Sequence, residues 1–144
     1  MPKESKLMQL ITQQISVERE QVKRLTKLRE RVSIAAARLL LLEMRLDSEK
    51  HAAILTEMLE TLKEVPPGTS LWEHELEQYI DETLVRREFE EHVQIEGDIL
   101  AHLKEELKHT KDMGLKLLLQ NIEEDEKKHH GIVQALVRNL YKMD

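Results

Sequence analysis

The sequence predicts an all-α protein of four long helices, and composition is the first observation that points there. Only four glycines and three prolines occur in 144 residues, and aromatic residues make up 3%. Leu, Met, Glu, Lys, Arg, Gln and Ala dominate, and these residues favour helices. A β-rich chain would hold more Val, Tyr, Phe and Thr. We therefore expect long helices and few turns in a single domain, residues 1–144, because this length suffices for one core.

The second observation is the hydrophobic periodicity. Apolar side chains recur at alternating spacings of three and four residues, which keeps them on one helix face. This pattern predicts helices over about 3–29, 34–64, 81–109 and 115–141. The third helix either restarts near Asp81 or continues from a short helical segment before it. In the first helix, the predicted core-facing residues are Leu7, Ile11, Gln14, Glu18, Gln21, Leu25 and Leu28.

The third observation is the length of the connections. Ser33 is a fair N-cap for the second helix, and residues 111–114 have the composition of a tight turn. The long connection, a crossover of about 65–80, begins with the helix-breaking segment 65–70. We predict a short helical piece over about 71–80, capped by Ser70 and anchored by Trp72, Leu76 and Tyr79. Two short connections and one long one predict a four-helix bundle of two antiparallel helical hairpins joined by a crossover.

The two halves of the chain align when one is shifted by 78 residues, the separation of His51 and His129. The segment 15–18 then falls on 93–96, and 47–51 falls on 125–129. Polar residues fall on polar ones and apolar on apolar ones, without gaps. We interpret this repeat as a duplicated helical hairpin.

A polar layer interrupts all four apolar faces at one level. Its members are Glu18, Ser48, His51, His92, Glu96, Glu126 and His129. Ionised carboxylates inside a helix bundle are costly unless they are paired or bound to a metal. Carboxylate and imidazole ligands without sulfur suit iron, manganese or zinc. The sequence therefore predicts a metal site that holds one or two ions inside the bundle.

The spacing of Glu126 and His129 strengthens this prediction, because residues three apart on a helix share a face. Di-metal proteins of the ferritin-like class use one Glu from each of two helices and Glu-x-x-His from each of the other two. Over most of its length, excepting the crossover, the chain resembles the rubrerythrin and ferritin-like di-iron carboxylate superfamily. The resemblance implies the metal ligands Glu18, His51, Glu96, Glu126 and His129. It also implies that Asp47 and Asp125, which do not bind the metal themselves, orient the ligand imidazoles through hydrogen bonds.

The chain departs from that family pattern at one position. Ser48 stands three residues before His51, where the second helix should carry a bridging Glu. His92, one helical turn before Glu96, is expected to supply a replacement ligand, and Asp47 is a less favourable alternative. Without either replacement, the site would hold one metal, hold two loosely, or be a remnant.

The resemblance implies redox chemistry with oxygen or peroxide, of the ferroxidase, peroxidase or oxidase type. The alternative is a structural or protein-interaction bundle with a degenerate metal site, and no catalytic residue is assigned. The absence of Cys removes a built-in rubredoxin centre, so a separate electron-donor protein is expected. The apolar runs 39–42 and 117–119 favour a homodimer.

Composition also narrows the partners and the location. The net charge of −6 leaves no broad basic face for nucleic acid. Residues 1–10 lack the hydrophobic stretch of a signal peptide, and the longest apolar run is far too short to span a membrane. We therefore expect a cytoplasmic protein that binds neither nucleic acid nor membrane.

Overall fold

The computed structural model describes residues 3–75 and 81–141, and it contains four helices. These are α1 (Lys3–Arg31), α2 (Ala35–Glu64), α3 (Glu82–Lys108) and α4 (Met113–Tyr141). The described residues include no strand. The prediction of an all-α chain with four long helices is confirmed, and each helix begins and ends within two residues of its predicted bounds.

The chain divides into two compact units, Met1–His74 and Glu75–Asp144. In the first unit α1 packs against α2, and in the second α3 packs against α4. We call these the first helical pair and the second helical pair. Each pair is one half of the repeat found in the sequence.

The α1–α2 connection is held by two arginines rather than by the predicted cap at Ser33. The N-cap of α2 is Ile34, which makes no side-chain hydrogen bond to the helix. Arg38 instead donates from Nη1 to the carbonyl oxygens of Arg29 (3.0 Å) and Val32 (3.1 Å). Arg29 donates from Nε to the carbonyl oxygen of Arg38 at 3.1 Å. The prediction that Ser33 caps α2 was wrong, because the N-cap is the next residue, Ile34. The Arg38 guanidinium satisfies carbonyl groups at the end of α1.

The predicted face of α1 is correct at Ile11 and Leu25, which are buried, but not at Gln14 and Gln21. Ile15 is buried and Val22 is half-buried, whereas Gln14 and Gln21 are exposed. The observed spacings still alternate between three and four, so the observed face shares Ile11, Glu18 and Leu25 with the predicted one and differs at the positions between them. Burying an apolar side chain rather than an amide avoids an unsatisfied polar group. The remaining buried residues of this pair are Ile11, Leu25, Ser48 and Ala52.

The second helical pair has a matching core. Leu103 of α3 and Val133 of α4 are buried, together with Glu96. Leu103 lies 78 residues after Leu25, and the two side chains are only 4% and 5% exposed. The two halves of the sequence repeat therefore bury equivalent leucines, each on the first helix of its pair.

The crossover begins as expected but does not form the predicted helical piece over 71–75. Thr69 donates its backbone N–H to the carbonyl of Pro66, in a turn where Gly68 has a φ of +82°. Glycine adopts that conformation without steric penalty. Ser70 stabilises the turn rather than a helix, since its Oγ accepts from the backbone N–H of Trp72 at 3.2 Å. Only a turn follows, at 71–73.

Of the three predicted anchors of that helical piece, the structure describes only Trp72. Trp72 is 54% exposed, so it does not anchor the crossover in this structure. An exposed indole buries little apolar surface, so it supplies little of the free energy needed to form a short helix. Leu76 and Tyr79 lie outside the described residues.

Aspartate side chains begin both helices of the second pair. Asp81 Oδ1 accepts from the backbone N–H groups of Thr83 (3.1 Å) and Leu84 (3.3 Å). Asp112 Oδ1 accepts from that of Leu115 at 2.8 Å. The alternative in which α3 restarts near Asp81 is confirmed. Gly114 lies inside α4 rather than in the predicted turn, because Asp112 begins the helix earlier.

Removal of the α4 cap should destabilise the protein measurably. Asp112→Ala is expected to lower the free energy of unfolding by about 0.5–2 kcal/mol, because it removes an N-cap acceptor. Chemical denaturation of the full chain followed by circular dichroism measures this loss. Lys111→Ala, at the exposed neighbouring residue, is the control and should change stability by less than about 0.5 kcal/mol. Equal losses in both variants would contradict the capping role.

Candidate metal site

Three of the predicted ligands come together in the second helical pair. Glu96, Glu126 and His129 each offer a ligand atom, and these atoms all lie within 4.8 Å of one another. Among the residues that the structure describes, these acidic and imidazole side chains form a group that could hold a metal ion. Every member was predicted from the sequence, and no further acidic or imidazole side chain of the described residues joins them.

Local helix geometry positions two of these ligands. Glu126 and His129 are three residues apart on α4, so both side chains lie on one face, and Glu126 Oε1 is 3.7 Å from His129 Nδ1. Glu96 approaches from α3. Leu103 on α3 and Val133 on α4 are buried within two helical turns of these residues, in the pair in which α3 packs against α4.

Glu96 is the most informative of the three residues. It is only 7% exposed, and its Oε2 has no hydrogen-bond partner among residues 3–75 and 81–141. A buried carboxylate oxygen without a partner is costly, by about 1–3 kcal/mol or more. A cation bound among these three residues would remove that cost, because it would supply the missing electrostatic partner. The donor set of two carboxylates and one imidazole fits iron, manganese or zinc.

The site is open on the side of α4. The Glu126 side chain is 18% exposed and that of His129 is 48% exposed. A buried carboxylate on one helix and a solvent-accessible imidazole on the other allow an ion to enter without unfolding of the pair. The same opening leaves room for water ligands.

The first helical pair carries the counterpart of this arrangement with one ligand fewer. His51 Nδ1 lies 3.5 Å from Glu18 Oε2, and the two side chains are 50% and 17% exposed. Ser48, at the position that corresponds to Glu126, is 8% exposed. The first pair therefore brings together two predicted ligands, which contact each other directly.

The two replacements considered for the missing Glu are placed less favourably. His92 is exposed on α3 and is not a member of the group of three ligands. Asp47 Oδ1 lies 3.6 Å from Lys50 Nζ, in an ion pair along α2. Asp125, expected to orient a ligand imidazole, likewise lies 4.0 Å from Lys128 Nζ. Both aspartates thus have a lysine partner on their own helix.

Comparison with known proteins adds no relative. No family model matches the chain, and neither the curated proteins nor the solved structures contain a match. In the part of the chain that the structure describes, none of the helices is both long and apolar enough to cross a membrane.

Proposed function

We propose that this protein is a ferritin-like metalloprotein that binds one or two iron or manganese ions and performs redox chemistry with oxygen or peroxide. One observation carries the proposal: Glu96, Glu126 and His129 converge, and the buried Glu96 lacks a partner for Oε2. Such a carboxylate is expected where a cation binds and is unfavourable elsewhere. In this proposal the chain is a bundle of two antiparallel hairpins, the topology that its short, long and short connections favour.

The ligand residues define what the chain would contribute. Glu96 and Glu126 would hold the ion, and carboxylates tolerate a change in its oxidation state. His129 would fix its orientation and tune its potential. The ion would supply the redox chemistry with oxygen or peroxide, of the ferroxidase, peroxidase or oxidase type. Glu18 and His51, in the first helical pair, would hold a second ion if one binds, and His92 is the candidate for a further nitrogen ligand.

The proposal implies two kinds of partner. Because the chain has no Cys, it holds no rubredoxin-type centre, and its electrons would come from a separate donor protein. A homodimer would cover apolar helix faces, of which Leu39 (42% exposed) and Leu117 (45% exposed) are members.

Metal content and turnover test the proposed function together. Protein purified or reconstituted with Fe²⁺ should contain stoichiometric iron by elemental analysis, and it should oxidise Fe²⁺ faster than protein-free buffer does. Both properties should disappear in a variant that combines Glu126→Ala with His129→Ala. A double variant that substitutes two exposed residues of α4, Glu124→Ala with Lys128→Ala, is the control and should keep both.

The second candidate function is a structural or interaction bundle with a degenerate metal site. Ser48 favours it, because the first helical pair lacks one carboxylate of the family pattern. This function predicts no bound metal after reconstitution with iron, manganese or zinc, and the same thermal stability with and without each ion. That result would exclude the metalloprotein proposal.

A further inference from the structure

We propose that the second helical pair binds one divalent cation by itself, through Glu96, Glu126 and His129, without a ligand from α1 or α2. This inference rests on the proposed function and narrows it. The site with the highest affinity holds a single ion, and it is not a symmetric centre to which all four helices contribute ligands. Its cation is a divalent first-row transition ion such as Mn²⁺, Fe²⁺ or Zn²⁺.

The number of ligands is sufficient. Three protein ligands bind an ion firmly while leaving a position open, as in zinc sites that keep a water molecule. The ligand atoms of the three residues already lie within 4.8 Å of one another, so small side-chain rotations bring them to one ion. The 48% exposure of His129 leaves the remaining positions to water.

The unpartnered oxygen of Glu96 is an independent observation that points to a cation at this place. Glu18, its counterpart in the first pair, has a partner, because Oε2 lies 3.5 Å from His51 Nδ1. Glu96 is also more than nine-tenths buried, which leaves little water to solvate its charge. Each pair has one carboxylate–imidazole contact, Glu18 with His51 and Glu126 with His129, and the second pair has the buried Glu96 in addition. A cation therefore stabilises the second pair by supplying a partner for Glu96, and the first pair has no equivalent gain.

The sequence repeat explains why the two pairs differ. Glu18 and His51 correspond to Glu96 and His129 at a separation of 78 residues, but Ser48 corresponds to Glu126. A serine hydroxyl is short and neutral, so the first pair offers one carboxylate and one imidazole. Two ligands hold a labile ion much more weakly than three do. One copy of the duplicated hairpin thus carries all three of these metal-binding residues, and the other copy carries two of them.

The chemistry of the ligands selects the class of cation. Two carboxylates with one imidazole suit Mn²⁺, Fe²⁺ and Zn²⁺, whereas Cu⁺ prefers sulfur ligands and Ca²⁺ prefers six to eight oxygens. We expect affinity to rise from Mn²⁺ to Fe²⁺, because divalent ions of this row follow that order at a given site.

The test uses the full-length protein and two double variants that match through the repeat. Glu96→Gln with His129→Gln disables the second pair, and Glu18→Gln with His51→Gln makes the corresponding change in the first. Native mass spectrometry counts the bound ions, and calorimetric titration with Mn²⁺ and with Zn²⁺ gives the affinity. Helix content from circular dichroism checks each variant. Glu126→Gln, at a partly exposed ligand, tests the second pair again if the double variant folds poorly.

We expect the wild-type protein to bind one ion tightly, and the variant of the first pair to bind it with unchanged affinity. The variant of the second pair, and Glu126→Gln, should bind it at least about 100-fold more weakly, since loss of outer-shell groups alone costs 10–100-fold. Loss of the tight ion in the first-pair variant would overturn the inference and leave the proposed metalloprotein standing. A wild-type protein that binds no ion would overturn both.

Discussion

Replacing Glu96 by leucine should stabilise the metal-free protein and abolish its stabilisation by metal. The free energy of unfolding without metal is expected to rise by about 1–3 kcal/mol, because the substitution removes a buried carboxylate oxygen that has no partner. Wild-type protein should gain about 2.7 kcal/mol at an ion concentration 100 times the dissociation constant. The variant should gain almost nothing, because its central ligand is absent.

Denaturant unfolding with and without Zn²⁺ measures both effects on the same samples. Glu90→Leu, at an exposed residue of the same helix, is the control. It should change stability by less than about 0.5 kcal/mol and leave the effect of Zn²⁺ intact. A large loss of stability in metal-free Glu96→Leu would contradict the prediction, since it would mean that the carboxylate has a stabilising partner without metal.

Truncating Leu103 should have the largest effect on the metal-free fold. Leu103 is 4% exposed, the lowest value among the core residues of the described chain. Leu103→Ala is expected to lower the free energy of unfolding by about 2–5 kcal/mol, through lost burial and the cavity left behind. Urea titration followed by circular dichroism at a helix band measures the loss.

Leu84→Ala is the matched control for Leu103, because it makes the same substitution on the same helix at a side chain that is 54% exposed. It should cost less than about 1 kcal/mol, since most of its apolar surface is already in water. Similar losses at the two positions would show that α3 and α4 do not share the packed core described above.

The helices were predictable because their causes are local. Helix propensity and a sustained spacing of three and four residues identify each helix, and scarce Gly and Pro mark the breaks. The caps were partly predictable: Asp81 begins α3 as expected, but the role of Asp112 was missed. The hydrogen bonds of Arg29 and Arg38 were not predictable, because they join residues nine positions apart across a turn.

The candidate site was likewise predictable in part. The relation of Glu126 to His129 follows from helix geometry, and the sequence repeat pairs Glu18 with Glu96 and His51 with His129. The difference between Glu18 and Glu96 did not follow, although both are glutamates flanked by similar residues. One contacts an imidazole and the other is buried without a partner for Oε2.

The sequence by itself determined the all-α class, the four helices, the repeat and a set of six candidate ligands that includes the three converging residues. All of these depend on interactions between residues that are near in the chain or on a periodicity that the chain carries. Only the tertiary structure decided the face that α1 buries, with Ile15 and not Gln14, and the separate convergence of Glu96, Glu126 and His129. Burial and partner distances depend on the axial rotation and register of two packed helices. A shift of one residue changes which side chains meet and leaves the periodicity the same.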